Sequence, residues 1–200
     1  MTPEAMRKAL EDVRLAREAE LKSQFDRSLP FADGLFDRWE RARRLGFAKD
    51  ASIYDSACVF GDVSVGAGTW IGPWVMLDGS GGSIRIGSTC SLSAGVHIYT
   101  HDTVLWALSG GKMATRKAAV SIGDRVYIGS QSVIARGVTI GDMCVIAANS
   151  FINRNVTTRS IVGGTPAKVI GRVEGEGDAI RLVFAKPTAI PADLRTLSPT

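Results

Sequence analysis

Between residues 51 and 170 the chain holds both of its histidines, His97 and His101, six aspartates and not one glutamate. A group that takes a proton from a hydroxyl should titrate near neutral pH, and histidine does so unperturbed. Asp62, Asp124 and Asp142 each directly follow or lie beside a glycine in a repeated pattern and read as turn residues. Asp55 stands at the start of the region. That leaves His97, His101, Asp78 and Asp102 as the groups able to move or hold a proton. Two histidines cannot supply a three-histidine metal set, so no metal is expected. Cys58, Cys90 and Cys144 form no CxxC pair and cannot all be paired within the chain, which suits reduced thiols in a cytoplasmic protein.

The elements that must carry these groups follow from a period of six. From Ile53 the chain reads Ile53, Val59, Val65, Ile71 and Leu77; three extra residues intervene before Ile86, Leu92 and Ile98. After a long interruption the phase resumes at Ile122, Ile128, Ile134, Ile140, Ile146 and Ile152. Four residues beyond most of these stands a small or branched residue, among them Ala57, Thr69, Cys90, Val126, Ser132, Cys144 and Ser150. Six is neither the helical period nor simple alternation; it suits a short strand plus a turn, repeated around a coil. One such unit has no core, whereas stacked coils bury the aliphatic ladder and pair their backbones at the strand spacing of about 4.8 Å. Glycine, 22 of 200 residues against a usual share of about 7%, concentrates here, with 17 in residues 51–170. Glycine and polar residues are expected at corners needing positive φ. Cys90 and Cys144 fall at small inward positions, where packing is their expected role.

The six-fold pattern divides the chain into residues 1–50, 51–170 and 171–200. Thr2-Pro3-Glu4 starts a helix expected to run to about Asp26, and Ser28-Leu29-Pro30 breaks it. A second helix is expected over 32–45, packing Leu35, Phe36, Trp39 and Leu45 on the first coil, with Gly46 as its stop. Arg41, Arg43 and Arg44 read as a solvated face. Beyond Thr165-Pro166-Ala167 the chain leaves the coil; residues 174–178 read as a linker, 180–184 as a strand, and three prolines follow. The net charge of +4 is spread among acids, which argues against nucleic acid as a partner. Neither a membrane-inserting run nor a secretory signal is expected.

The chain resembles the bacterial hexapeptide-repeat acyltransferases, and in particular the sugar, surface-polysaccharide and xenobiotic acetyltransferases. The carrying strings are Ile122-Gly-Asp-Arg-Val-Tyr-Ile-Gly129, Ser130-Gln-Ser-Val-Ile134, Gly137-Val-Thr-Ile-Gly-Asp142, Ile146-Ala-Ala-Asn-Ser150 and Gly163-Gly-Thr-Pro-Ala-Lys168. The resemblance covers about residues 51–172. It implies an all-β, left-handed parallel β-helix of about five coils with one ejected loop and an N-terminal helical segment. The hand comes from the resemblance alone, because general crossover rules predict the opposite. It also implies acetyl-CoA as acyl donor, without a metal, and a homotrimer with sites between neighbouring chains.

The resemblance places the catalytic base where the coil exits into the ejected loop, at His101. Asp78 and Asp102 are its possible orienting carboxylates, with Asp102 expected to point away. His97, Trp106 and Lys112 are the acceptor-side residues. For the donor it implies Ser130 and Ala148 through backbone groups, Tyr127 through its ring, and Asn153, Thr165 and Lys168 at the nucleotide end. Lys168 makes physical sense as a point charge beside phosphate. Where relatives often have Gly-Ala-Gly-Ser, this chain has Ala147-Ala-Asn-Ser150. The implied reaction is O-acetylation of a sugar or polysaccharide precursor. Acetylation of a xenobiotic such as chloramphenicol or a streptogramin, and N-acetylation of an amino sugar, are the alternatives within enzymes. A γ-type carbonic anhydrase fits poorly, since it needs three histidines, and a purely structural prism fails to account for the loop with His101 at its base.

Overall fold

The computed structural model describes residues 1–185. Residues 52–164 wind into a left-handed parallel β-helix with three faces, as the six-residue period requires. The first face stacks Ser52–Ile53, Trp70–Ile71, Ser91–Leu92, Tyr127–Ile128, Val145–Ile146 and Ser160–Gly164. The rungs pair inward residue to inward residue: Ile53 with Ile71, Ile71 with Leu92, Leu92 with Ile128, and Ile128 with Ile146. The second face aligns Val59, Leu77, Ile98, Ile134 and Ile152, and the third aligns Val65, Ile86, Ile122 and Ile140, closing on Val156. Every one of the fourteen predicted rungs is buried except Val59, which is partly covered at the open end. Each buried aliphatic side chain contributes roughly 1.5–3 kcal/mol, which gives the stack its cohesion.

Glycine serves the coil in two ways. At the corners the left-handed backbone is taken, as expected, by Gly61, Gly68, Gly95 and Gly137, and also by Trp74, Thr89, Arg125, Gln131, Met143, Asn149 and Arg159. The amides of the non-glycine residues explain why: Arg125, Met143 and Arg159 donate at 2.9 Å to the carbonyls of Ser88, Asp124 and Asp142 in the preceding coil. These bonds offset a strain of about 1–2 kcal/mol per residue. The glycines that follow the rungs, such as Gly129 and Gly141, have ordinary φ but no room; a Cβ on Gly141 would sit 2.6 Å from the Thr158 amide nitrogen. They permit close approach of successive coils. The turn aspartates complete this corner, Asp124 accepting from Ser88 N at 2.7 Å and Asp142 from Asp124 N at 2.8 Å.

Helix α1 covers Pro3–Phe25, capped by Thr2, and buries Leu21 alone. The second expected helix is two, α2 (Phe31–Leu35) and α3 (Arg38–Arg44). Phe36 is extended, and Asp37 caps α3 by accepting from Glu40 N at 2.7 Å. The break rotates the apolar stripe outward, leaving Phe36, Trp39 and Leu45 exposed in the chain. Docking is instead by Ala42 and Phe47, which are buried, and by Arg41, which donates to the carbonyls of Tyr54 and Ala57. Arg41 is therefore not a solvated-face residue. At the other end, strand Ala167–Glu174 turns back antiparallel on Ser160–Gly164. The expected linker at 174–178 is a tight turn into a further antiparallel strand, Arg181–Phe184, consistent with the strand expected at 180–184. The three prolines lie outside the described residues.

Candidate active site

Both departures from the six-residue rhythm leave the helix at one corner, between the second and third faces. In the second coil the departure is Gly79-Ser80-Gly81-Gly82, inside the long strand Met76–Ile86. In the third it is the ejected loop, which starts from His97–Tyr99 and returns at Val120–Ile122. The loop's base is a short antiparallel pair, His101–Asp102 against Arg116–Lys117, and α4 (Val104–Leu108) forms its tip region. Trp106 and Lys112 are exposed on this loop.

His101 sits where the two departures touch. Its side chain is 28% exposed; its Nδ1 is buried, makes no hydrogen bond among the described residues and faces Asp78 Oδ2 at 3.8 Å, beyond hydrogen-bonding distance. The other oxygen of Asp78 is held by Ser80, from the amide at 3.1 Å and the hydroxyl at 2.5 Å. Thr100, fully buried, ties the layers together: its Oγ1 donates to the Asp78 carbonyl at 2.7 Å and accepts from Gly81 N at 3.0 Å. Gly81 is required by proximity, because a Cβ there would sit 2.7 Å from the Thr100 carbonyl oxygen and closer still to His101 Cβ.

Asp102 points elsewhere. Its carboxylate accepts from Arg116 at 3.0–3.1 Å, from Val104 N at 3.2 Å, and from Arg136 of the next coil. The guanidinium of Arg136, with that of Arg116, holds this carboxyl well down, at about 2. Of the two aspartates weighed from the sequence, the structure brings Asp78 to His101 and makes Asp102 the clamp of the loop base. His97 lies half-buried on the outer second face, its Nδ1 3.1 Å from Tyr99 Oη.

The donor-side residues divide. Ser130, Ala148 and Thr165 stack on the corner between the first and second faces; Asn149 N donates to Ser130 O at 2.9 Å and Thr165 Oγ1 to Asn149 O at 3.0 Å. Among the described residues the amides of Ser130 and Ala148 donate to no protein group. Tyr127 flanks this ridge, exposed on the first face, and Lys168 is exposed opposite Gly163. Asn153 is not on the ridge; it lines a cleft of about 260 Å³ at the end of the helix with Arg154, Val169 and neighbours. The ridge and His101 occupy opposite edges of the second face. The insertion at Gly79–Gly82 escaped the sequence reading as a functional element. Its signal was there, in the three-residue slip one coil before the ejected loop.

Residues 119–154 match the family described as the hexapeptide repeat of succinyl-transferase. A hexapeptide-repeat acetyltransferase from Vibrio cholerae O1 biovar eltor, complexed with acetyl coenzyme A, is 29% identical over 86% of this chain and 92% of its own, with a TM-score of 0.56. A maltose O-acetyltransferase from Clostridium difficile 630 shares the fold at 24% identity, covering 84% and 89% of the two chains, TM-score 0.54. The N-acyltransferase AntD from Bacillus cereus, in complex with dTDP and 3-hydroxybutyryl-CoA, does so at 19%, covering 68% and 89%, TM-score 0.53. The chain is thus a left-handed β-helix protein, similar in repeat, fold and extent to the hexapeptide-repeat acetyltransferase from Vibrio cholerae.

Proposed function

We propose that the chain transfers the acetyl group of acetyl-CoA to a hydroxyl of a sugar or polysaccharide precursor, with His101 as general base. The observation that carries this reading is the His101 imidazole at the loop base, with its buried Nδ1 turned to the Asp78 carboxylate. A proton on Nδ1 leaves Nε2 with the lone pair that accepts the hydroxyl proton. The distance of 3.8 Å suits a pair that tightens only when substrate is bound. The freed alkoxide attacks the thioester carbonyl, a backbone N–H stabilises the oxyanion, and the imidazolium returns its proton to the departing thiolate.

For the donor, the two uncommitted amides of the ridge suit an extended amide-bearing arm, and Lys168 suits phosphate. The likeness to an acetyltransferase holding acetyl coenzyme A supports the same donor here. Because ridge and base flank the second face, a homotrimer with one chain's His101 facing its neighbour's ridge completes the site.

The test is thiol release from acetyl-CoA with a panel of sugars, amino sugars and chloramphenicol. His101→Ala should lower turnover by roughly 10²–10⁴ with the fold intact by circular dichroism. Full activity in that variant overturns the assignment, and turnover of amino sugars or chloramphenicol alone replaces the acceptor class.

A further inference from the structure

We propose that Ser80 is a positioning residue for the His101–Asp78 pair, holding one oxygen of the Asp78 carboxylate so that the other is presented to His101 Nδ1. The inference rests on His101 as base. A carboxylate on a strand can turn about its χ2 torsion, and the two oxygens are equivalent until something distinguishes them. Here Ser80 does so twice, through its amide at 3.1 Å and its hydroxyl at 2.5 Å, both to Oδ1. Oδ2 is left facing the imidazole. The Asp78 side chain is only 16% exposed, so the orientation set by Ser80 is maintained in a pocket with little competing water.

Ser80 is available for this because of the three-residue insertion. A regular six-residue turn would carry the chain from Leu77 to the next rung without the local Asx turn that Asp78-Gly79-Ser80 makes. The same insertion supplies Gly81, against which the Thr100 carbonyl and His101 Cβ rest, and the Thr100 hydroxyl bonds both Gly81 N and the Asp78 carbonyl. One short departure thus orients the carboxylate and seats the base. Ser80 itself is exposed and touches no other described side chain by a hydrogen bond.

The experiment compares Ser80→Ala, Ser80→Thr, Asp78→Ala and the Ser80→Ala/Asp78→Ala double variant, with His101→Ala alongside. Ser80→Ala should lower kcat about ten-fold, the worth of one hydrogen bond, with the KM for both substrates and the melting temperature unchanged. Ser80→Thr, which keeps the hydroxyl, should restore turnover. In the Asp78→Ala background, removing Ser80 should have no further effect, because its action passes through the carboxylate. Additive losses, or a raised acceptor KM in place of a lower kcat, overturn the inference by making Ser80 a structural or substrate-binding residue. If His101→Ala is inactive while Ser80→Ala matches the wild type, only this inference fails. If His101→Ala remains active, the general-base reading fails and takes this one with it.

Discussion

Gly81→Ala is the most informative single change, because its consequence can be worked from the packing. The new Cβ would lie 2.7 Å from the Thr100 carbonyl oxygen and nearer to His101 Cβ, where ordinary contacts begin at 3.4 Å. Neither neighbour is the free end of a flexible side chain, so the His101 strand must move by about 1 Å. With His101 as the proposed general base, displacement of that size costs about 10²-fold in rate. Overpacking itself costs about 1–3 kcal/mol, or roughly 2–12 °C in melting temperature for a chain of this size. Gly141→Ala is the control: its Cβ would meet Thr158 N at 2.6 Å in a coil remote from His101. Both variants should melt earlier, but only Gly81→Ala should lose kcat per folded molecule, measured by thiol release after correction for folded fraction by circular dichroism. Equal kcat in the two variants would refute the claim that the insertion seats the base.

Asp102, held at about 2 by Arg136 and Arg116, contributes stability that is full above the ordinary carboxylate value of 3.8 and fades as pH falls through about 2. Asp102→Asn should therefore narrow its difference from wild type as acid unfolding is followed below pH 4, and a constant difference down to pH 2 would contradict the clamp. Burial pushes the Cys90 and Cys144 thiols up, whereas Cys58 is exposed. Ellman's reagent at pH 8 should thus find one thiol in the native protein and three after denaturation. Ile134→Ala, in the centre of the second-face ladder, should lose about 2–5 kcal/mol by chemical denaturation, with a loss below 1 kcal/mol showing that the ladder is not close-packed.

The ladder was legible because burial in a stacked coil imposes one inward residue every six, and nothing else in the chain competes with that rhythm. The helix Pro3–Phe25 was legible from its Thr-Pro start. The division of 32–45 was not read, although Asp37-Arg38-Trp39-Glu40 carries an N-cap followed three residues later by glutamate. An apolar stripe shows that a face is apolar, not what covers it, so the stripe through Phe36 and Trp39 predicts a contact that Arg41 and Ala42 make instead. Glycine frequency told where coils meet but not why, since positive φ and close approach select the same residue. That Asp102 points away from His101 was legible from strand alternation, but what holds it was not: Arg136, 34 residues from Asp102, meets it only in three dimensions.

That both excursions leave from the same corner has a consequence for how such a chain can change. A segment that departs and re-enters at neighbouring faces leaves the registers of Ile98 with Ile134 and of Ile122 with Ile140 untouched. Doubling its length adds only about 0.6 kcal/mol of closure entropy. The corner therefore works as a socket: the segment plugged into it can be exchanged for one of another length or shape, while the column beneath carries the cost of folding unchanged.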